Sequence, residues 1–153
     1  IEARLLQELR VRRSDSVLEI GTGSGYMSAL LAYRAKHVES LEIDADLARF
    51  ASDNVARAAI ANLTIRQADG SKGIADMSTF DVIVLSGSVP FVPDELIERL
   101  NPGGRLAAIV GKMPVMQALI MTRSAVEGTT TEVLFETVAK PLRGFRARES
   151  FTF

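Results

Sequence analysis

The sequence predicts an α/β protein with a doubly wound, mainly parallel sheet, helices on both faces, and an antiparallel strand pair at the carboxyl end. Three observations lead there. Short β-branched and apolar runs alternate with helical patterns over the first two-thirds of the chain. The first of these runs empties into a glycine cluster that opens a helix. Two further β-type runs near the end are joined by Glu127-Gly128, with no room for a helix between them.

In order, residues 1–9 place Ile1, Leu5, Leu6 and Leu9 at helical spacing, which describes a helix docked by one side. Residues 16–20 form a buried first strand, and 26–35, rich in Ala, Leu and Met, a helix. Residues 37–43 are a second strand. The helix over 45–59 is expected to turn Leu47, Phe50, Ala51, Asn54 and Val55 inward. Residues 63–67 and 80–85 are the third and fourth strands. Pro93 opens a short helix over 93–100, which Asn101-Pro102-Gly103-Gly104 ends before a fifth strand over 105–110. Residues 115–122 and 132–138 are the antiparallel pair, and the tail over 143–153, with Phe145, Phe151 and Phe153, is a candidate last edge strand. Crossovers of this length between strands make the sheet parallel up to that pair.

The 153 residues fit one domain, with neither repeat nor low-complexity stretch. Lys plus Arg (18) nearly balances Asp plus Glu (19), so neither nucleic acid nor an anionic membrane is an expected partner. No apolar run approaches the ~20 residues of a membrane-spanning helix, and a soluble protein is expected. The absence of cysteine removes disulfides, thiolate metal sites and cysteine nucleophiles, and fits a cytoplasmic location. No metal site is expected, and nothing in the chain specifies an oligomeric state.

The chemistry is concentrated in Val17-Leu18-Glu19-Ile20-Gly21-Thr22-Gly23-Ser24-Gly25. Glycines serve where backbone takes positive φ or lies against a ligand, and the helix that follows offers unpaired N–H groups. A tight turn without ligand is the alternative. Tyr26 stands where a dinucleotide fingerprint has its third glycine, and Glu19 lies two positions before Gly21. A carboxylate there suits a cationic ligand and would repel phosphates. Direct contact with ligand and bracing of the loop are both open to Glu19.

Glu42 ends the second strand about 20 residues after the loop, where an acidic side chain can accept both ribose hydroxyls, with Ile43 beside it. Asp44 is a candidate cap for the next helix, and Glu39 is expected to be solvated. Asp69-Gly70 follows the third strand at the same sheet edge; it is either an acceptor for an adenine amine or a plain turn. His37 falls at the start of a strand, opposite this edge. Met113, Met116 and Met121 read as core filling, and Arg143, Arg146 and Arg148 as a solvated tail.

Together these residues resemble Rossmann-like class I methyltransferases. The run from Val17 to Tyr26, Phe80-Asp81 through Ser86-Gly87-Ser88-Val89-Pro90, and Leu100-Asn101-Pro102-Gly103-Gly104-Arg105-Leu106 resemble the protein-L-isoaspartate O-methyltransferase family. The resemblance implies a single S-adenosylmethionine-binding methyltransferase domain over 1–153, with an N-terminal segment of the family lacking. It implies S-adenosyl-L-methionine as cofactor and methylation of the carboxylate of L-isoaspartyl residues in damaged proteins or peptides. Glu19, Gly21, Thr22, Gly23, Ser24, Gly25, Glu42, Ile43, Asp69 and Gly70 would hold the cofactor, and Ser86 and Ser88 would be the catalytic candidates beside the methyl group. Ser86-Gly87-Ser88 departs from the family's commoner Thr-Ala-Ala, which keeps another methyl acceptor among the alternatives; a binding module without catalysis is a separate one. A nucleotide-linked dehydrogenase fits the glycine loop alone, but not Glu19 or the missing third glycine.

Overall fold

The computed structural model describes residues 1–74 and 76–146. In chain order the elements are α1 (Glu2–Leu9), β1 (Ser16–Ile20), α2 (Tyr26–Arg34), β2 (His37–Glu42), α3 (Ala45–Arg57), β3 (Leu63–Gln67), a 3-10 turn (Gly70–Lys72), β4 (Phe80–Val89), α4 (Asp94–Glu98), β5 (Leu100–Lys112), β6 (Val115–Ser124) and β7 (Gly128–Thr137). The strands form one sheet in the order β3-β2-β1-β4-β5-β6-β7. Pairing is parallel from β3 to β5 and antiparallel through β6 and β7. This is the architecture expected from the alternation of patterns, in a Rossmann-like form.

The period-2 geometry of the strands divides the core. On one face Val17, Val82, Val84, Ala107 and Ile109 meet Leu5, Leu9, Met27 and Leu31 from α1 and α2. On the other, Leu18, Ile20, Ile83, Leu85 and Leu106 meet Leu96 of α4. Arg105 fastens α1 to the sheet: its Nε donates to the Leu9 carbonyl at 2.6 Å, and its Nη2 meets Asp15 Oδ2 at 3.0 Å. Among the described residues no helix is long and apolar enough to cross a membrane.

Several expectations are corrected by tertiary packing. In α3 Ala51 is buried and Val55 packs against the core as expected, joined by Ala48, while Leu47 and Phe50 are 42% and 50% exposed. The fourth helix is short, capped at Pro93, and Asn101 to Gly104 belong to β5. There the register shifts between Phe80 and Val82, Asn101 Nδ2 donates to Asp81 at 3.0 Å, and a Cβ on Gly104 would sit 2.7 Å from the Asn101 carbonyl. Met113 is exposed at the β5–β6 turn, whereas Met116 is buried. Glu39 is paired with Arg66 at 3.3 Å. The candidate edge strand over 143–153 and Arg148 fall largely or wholly outside the described residues.

Candidate functional site

The chain winds from β1 outward through β2 to β3, then returns to place β4 on the other side of β1. In open α/β sheets this change of direction leaves a crevice at the carboxyl ends of the strands, where ligands bind. The glycine loop lies there. Gly21, Gly23 and Gly25 take φ of 96°, 55° and 89°, a region that side chains with a Cβ enter at a cost. Gly25 caps α2, and the Gly21 amide donates to the Leu41 carbonyl at 2.8 Å.

A cleft of about 200 Å³ opens beside the loop. It is lined by Gly21 and Gly23, by Glu42 and Ile43 from the end of β2, by Gly70, and by Ser86 from β4. Glu42 is buried, and its carboxylate accepts from the Gly23 amide at 2.8 Å and from the Asp44 amide at 3.0 Å. This carboxylate therefore shapes the loop as well as facing the cleft. A Cβ on Gly70 would come within 2.6 Å of the Ile20 side chain, so only glycine lets the chain pass here.

Not every expected residue reaches the cleft. Thr22 is buried, its hydroxyl 2.6 Å from Ser40 Oγ. Ser24 offers its carbonyl to Asn54 at 3.1 Å and, with Gly25, lines a neighbouring apolar hollow beside Phe50. Asp69 turns back to cap the 3-10 turn, accepting from the Ser71 amide at 3.0 Å. It is Ala68 and Gly70 that flank the cleft at this position. His37 lies at the opposite end of β2, and Asp44 caps α3 through the amides of Asp46 and Leu47.

Glu19 has no exposed surface and does not line the cleft. It points to the α2 face, the same side as Val17, and is enclosed by three hydroxyls. Ser28 of α2 donates to it, Ser40 of β2 donates at 2.9 Å, and Ser86 of β4 at 2.7 Å. Of the two roles open to Glu19, this geometry describes the brace: one carboxylate joins β2, β1, β4 and α2 under the loop. Burial, with a smaller contribution from the nearby Glu42 charge, pushes its carboxyl up from 4.5 to about 7 against the opposing pull of the three serines.

Sequence reasoning missed the segment over 139–143, which crosses the top of the site. It is held by β-type hydrogen bonds to β4: the Ser88 amide donates to the Lys140 carbonyl, and the Leu142 amide to the Ser88 carbonyl, both at 2.9 Å. Ser88 Oγ donates to the Ala139 carbonyl at 3.0 Å. Ser88, expected beside the methyl group, thus anchors this strap and lines neither adjoining cavity. Leu142 presses on the loop, and a Cβ at Gly21 would lie 2.5 Å from its Cδ2. Arg143, expected in a solvated tail, lines the cleft and meets Asp44 at 3.6 Å across its mouth. The Pro141-Leu142 pair was the one available signal, and nothing local in it says where the segment docks.

Ser86 also opens onto a second cavity, of about 270 Å³, on the α1 side of β4. Leu5, Met27, Val84 and Ile109 are among the apolar residues of its wall, and Ser86 and Lys140 line both spaces. A cleft with a buried carboxylate and open backbone fits a nucleoside with a cationic amino-acid part, and the apolar space next to it suits a second reactant.

The comparisons point the same way. The family model described as protein-L-isoaspartate(D-aspartate) O-methyltransferase matches residues 1–141. A protein-L-isoaspartate O-methyltransferase of Koribacter versatilis is 40% identical over 123 residues, which is 80% of this chain and 55% of that protein. Another, of Methanoculleus marisnigri, is 43% identical over 111 residues, covering 72% of this chain and 50% of the relative. The chain therefore spans about half the length of the curated relatives it matches. A solved protein-L-isoaspartate O-methyltransferase superposes with a TM-score of 0.81 at 26% identity, over 94% of this chain and 46% of that one. A Plasmodium falciparum structure described as a beta-aspartate methyltransferase in complex with S-adenosyl-L-homocysteine gives 0.81 at 20% identity, over 93% of this chain and 72% of that one; at this identity the likeness concerns the fold.

Proposed function

We propose, from the premise that this chain belongs to the protein-L-isoaspartate O-methyltransferase family, that it methylates the free carboxylate of L-isoaspartyl residues in damaged proteins or peptides, using S-adenosyl-L-methionine held in the glycine-loop cleft. The observation that carries the reading is the Glu42 carboxylate, buried at the end of β2 and bonded to the Gly23 amide at the crevice. Gly21, Gly23, Ile43 and Gly70 would lie against the cofactor, with Glu42 toward its ribose, and Ser86 would face the reacting methyl. When bound, the cofactor supplies a methyl group on a positively charged sulfur. Glu19, Thr22, Ser24, Gly25 and Asp69 would act one step back, by holding the loop and the neighbouring turn.

The chain's own task is then alignment and exclusion of water. An acceptor carboxylate is already ionised near neutral pH, so no residue has to remove a proton. Holding two reactants at attack distance is worth about 7 to 11 kcal/mol of barrier, the largest contribution open to a site without acid or base. Ser86 commits its hydrogen to Glu19 and so presents lone pairs at the seam of the two cavities, leaving the acceptor oxygen undamped by a donor. The opposite charges of carboxylate and sulfonium cancel as the bond forms, which a dry, apolar wall such as that of Leu5, Met27 and Ile109 favours. A cytoplasmic location belongs to the same proposal, supported by the lack of cysteine.

The test is methyl transfer from S-adenosylmethionine to an isoaspartyl peptide and to its normal aspartyl isomer, alongside calorimetric titration with S-adenosylhomocysteine and with NAD. Transfer to the first peptide alone, with binding of S-adenosylhomocysteine and not NAD, is expected. Binding without transfer to any isoaspartyl peptide would overturn the substrate assignment and favour a different acceptor.

A further inference from the structure

The cleft and the apolar cavity meet along one seam, and two residues line both: Ser86 and Lys140. Among the described residues Lys140 is the one basic side chain lining the apolar cavity, where Leu5, Met27, Val84 and Ile109 offer nothing to a charge and the exposed Glu2, on the first turn of α1, offers the wrong sign. The Lys140 backbone is held on the strap, its carbonyl accepting from the Ser88 amide at 2.9 Å. Its side chain is exposed and forms no ion pair among the described residues. The strap thus anchors, at the line where the two reactants would touch, a residue whose cation has no partner among the described residues.

We propose that Lys140 is a positioning and specificity residue that selects an anionic acceptor, its ammonium drawing the acceptor carboxylate into the apolar cavity and against the seam. The inference rests on the functional reading above and adds to it the group that meets the substrate's charge. A carboxylate entering an apolar space gives up hydration worth several kcal/mol, and a nearby cation offsets that loss. In the reaction a carboxylate oxygen forms a bond to the methyl carbon while the carbon–sulfur bond breaks and its electron pair goes to sulfur. A neutral ester and a neutral thioether result, and no proton moves. The attraction to Lys140 is therefore greatest in the bound ground state and fades toward the transition state, so it serves binding and not the chemical step.

That separation is the signature to measure. In the full chain, Lys140→Met should raise KM for an isoaspartyl peptide by about fivefold or more, with kcat equal to or above wild type, and Lys140→Arg should restore KM, since a charge–charge contact of this kind depends on the cation. The same ammonium repels a sulfonium. Lys140→Met should therefore tighten S-adenosylmethionine about two- to fivefold in calorimetric titration while leaving the uncharged thioether of S-adenosylhomocysteine unchanged. A fall in kcat at constant KM, an unchanged KM, or failure of Arg to restore it would overturn the proposal. If the wild type turns over no isoaspartyl peptide, the functional reading fails by itself, and the ratio of the two cofactor affinities still decides the inference: an unchanged ratio places Lys140 away from the seam.

Discussion

Ser86 Oγ donates to Glu19 Oε1 at 2.7 Å, joining β4 to β1 across 67 positions of sequence. The bond ties a residue that lines both cavities to the buried brace beneath the glycine loop. Ser86→Ala leaves Glu19 with two of its three donors and is expected to lower stability by about 1 to 3 kcal/mol, read as the denaturant midpoint at pH 8. Ser86→Thr, which keeps the hydroxyl, should lose little. An Ala variant as stable as the parent would mean that Ser28 and Ser40 alone satisfy the carboxylate.

Glu19 also makes stability depend on pH. Its folded carboxyl titrates near 7 against an ordinary value of 4.5, so between these values the folded chain holds a proton that the unfolded chain has lost. Folded-state proton binding in excess makes stability fall as pH rises. The advantage of the protonated form is complete below 4.5 and disappears as pH climbs through about 7, a loss on the order of 3 kcal/mol from this group. Urea denaturation at pH 5 and pH 8 should show that decline, and Glu19→Gln should largely remove it. An equal slope in the Gln variant would assign the pH dependence to other carboxylates.

Glu42 has a different exposure to test. Its carboxylate lines the cleft and also fixes the Gly23 amide at 2.8 Å. Glu42→Ala is expected to weaken S-adenosylhomocysteine by about 1 to 3 kcal/mol in calorimetric titration, the loss typical of a charged hydrogen-bond partner. Unchanged affinity would remove Glu42 from the binding site.

Gly21 is held by two constraints that a double substitution separates. At φ 96°, an alanine would carry backbone strain of about 1 to 2 kcal/mol, and its Cβ would meet Leu142 Cδ2 at 2.5 Å and the Ser86 carbonyl at 3.1 Å. Gly21→Ala should therefore lower the denaturant midpoint and abolish measurable S-adenosylhomocysteine binding. Adding Leu142→Ala relieves the side-chain collision but neither the strain nor the carbonyl contact, so recovery should be partial. Full recovery would show that the collision alone makes glycine necessary.

The local features of the site were legible because short-range chemistry produces them. A strand running into Gly21, Gly23 and Gly25 predicts positive φ, and those three residues adopt it. Asp44 was open to reading as a helix cap and is one, because a cap needs only the next two or three amides. Glu42 could be placed at the crevice from the length of one β–α–β unit, since a residue at the end of the second strand must come beside the loop after the first.

The sequence by itself determined the order and type of the main strands and helices, though not all their bounds, where the glycine loop falls, and which carboxylate ends β2. Tertiary structure alone decided that Glu19 shares a face with Ser28, Ser40 and Ser86, that Ser88 spends its hydroxyl on the strap, and that Lys140 and Arg143 return to the cleft. Strand alternation says that a side chain points to one face or the other, but which partners await it depends on strand order and register, and these are contacts between residues far apart in the chain. The same reason turned Leu47 and Phe50 outward: amphipathic spacing names an apolar stripe, while the small Ala48 and Ala51 set how closely α3 approaches the sheet and which side of the stripe is covered.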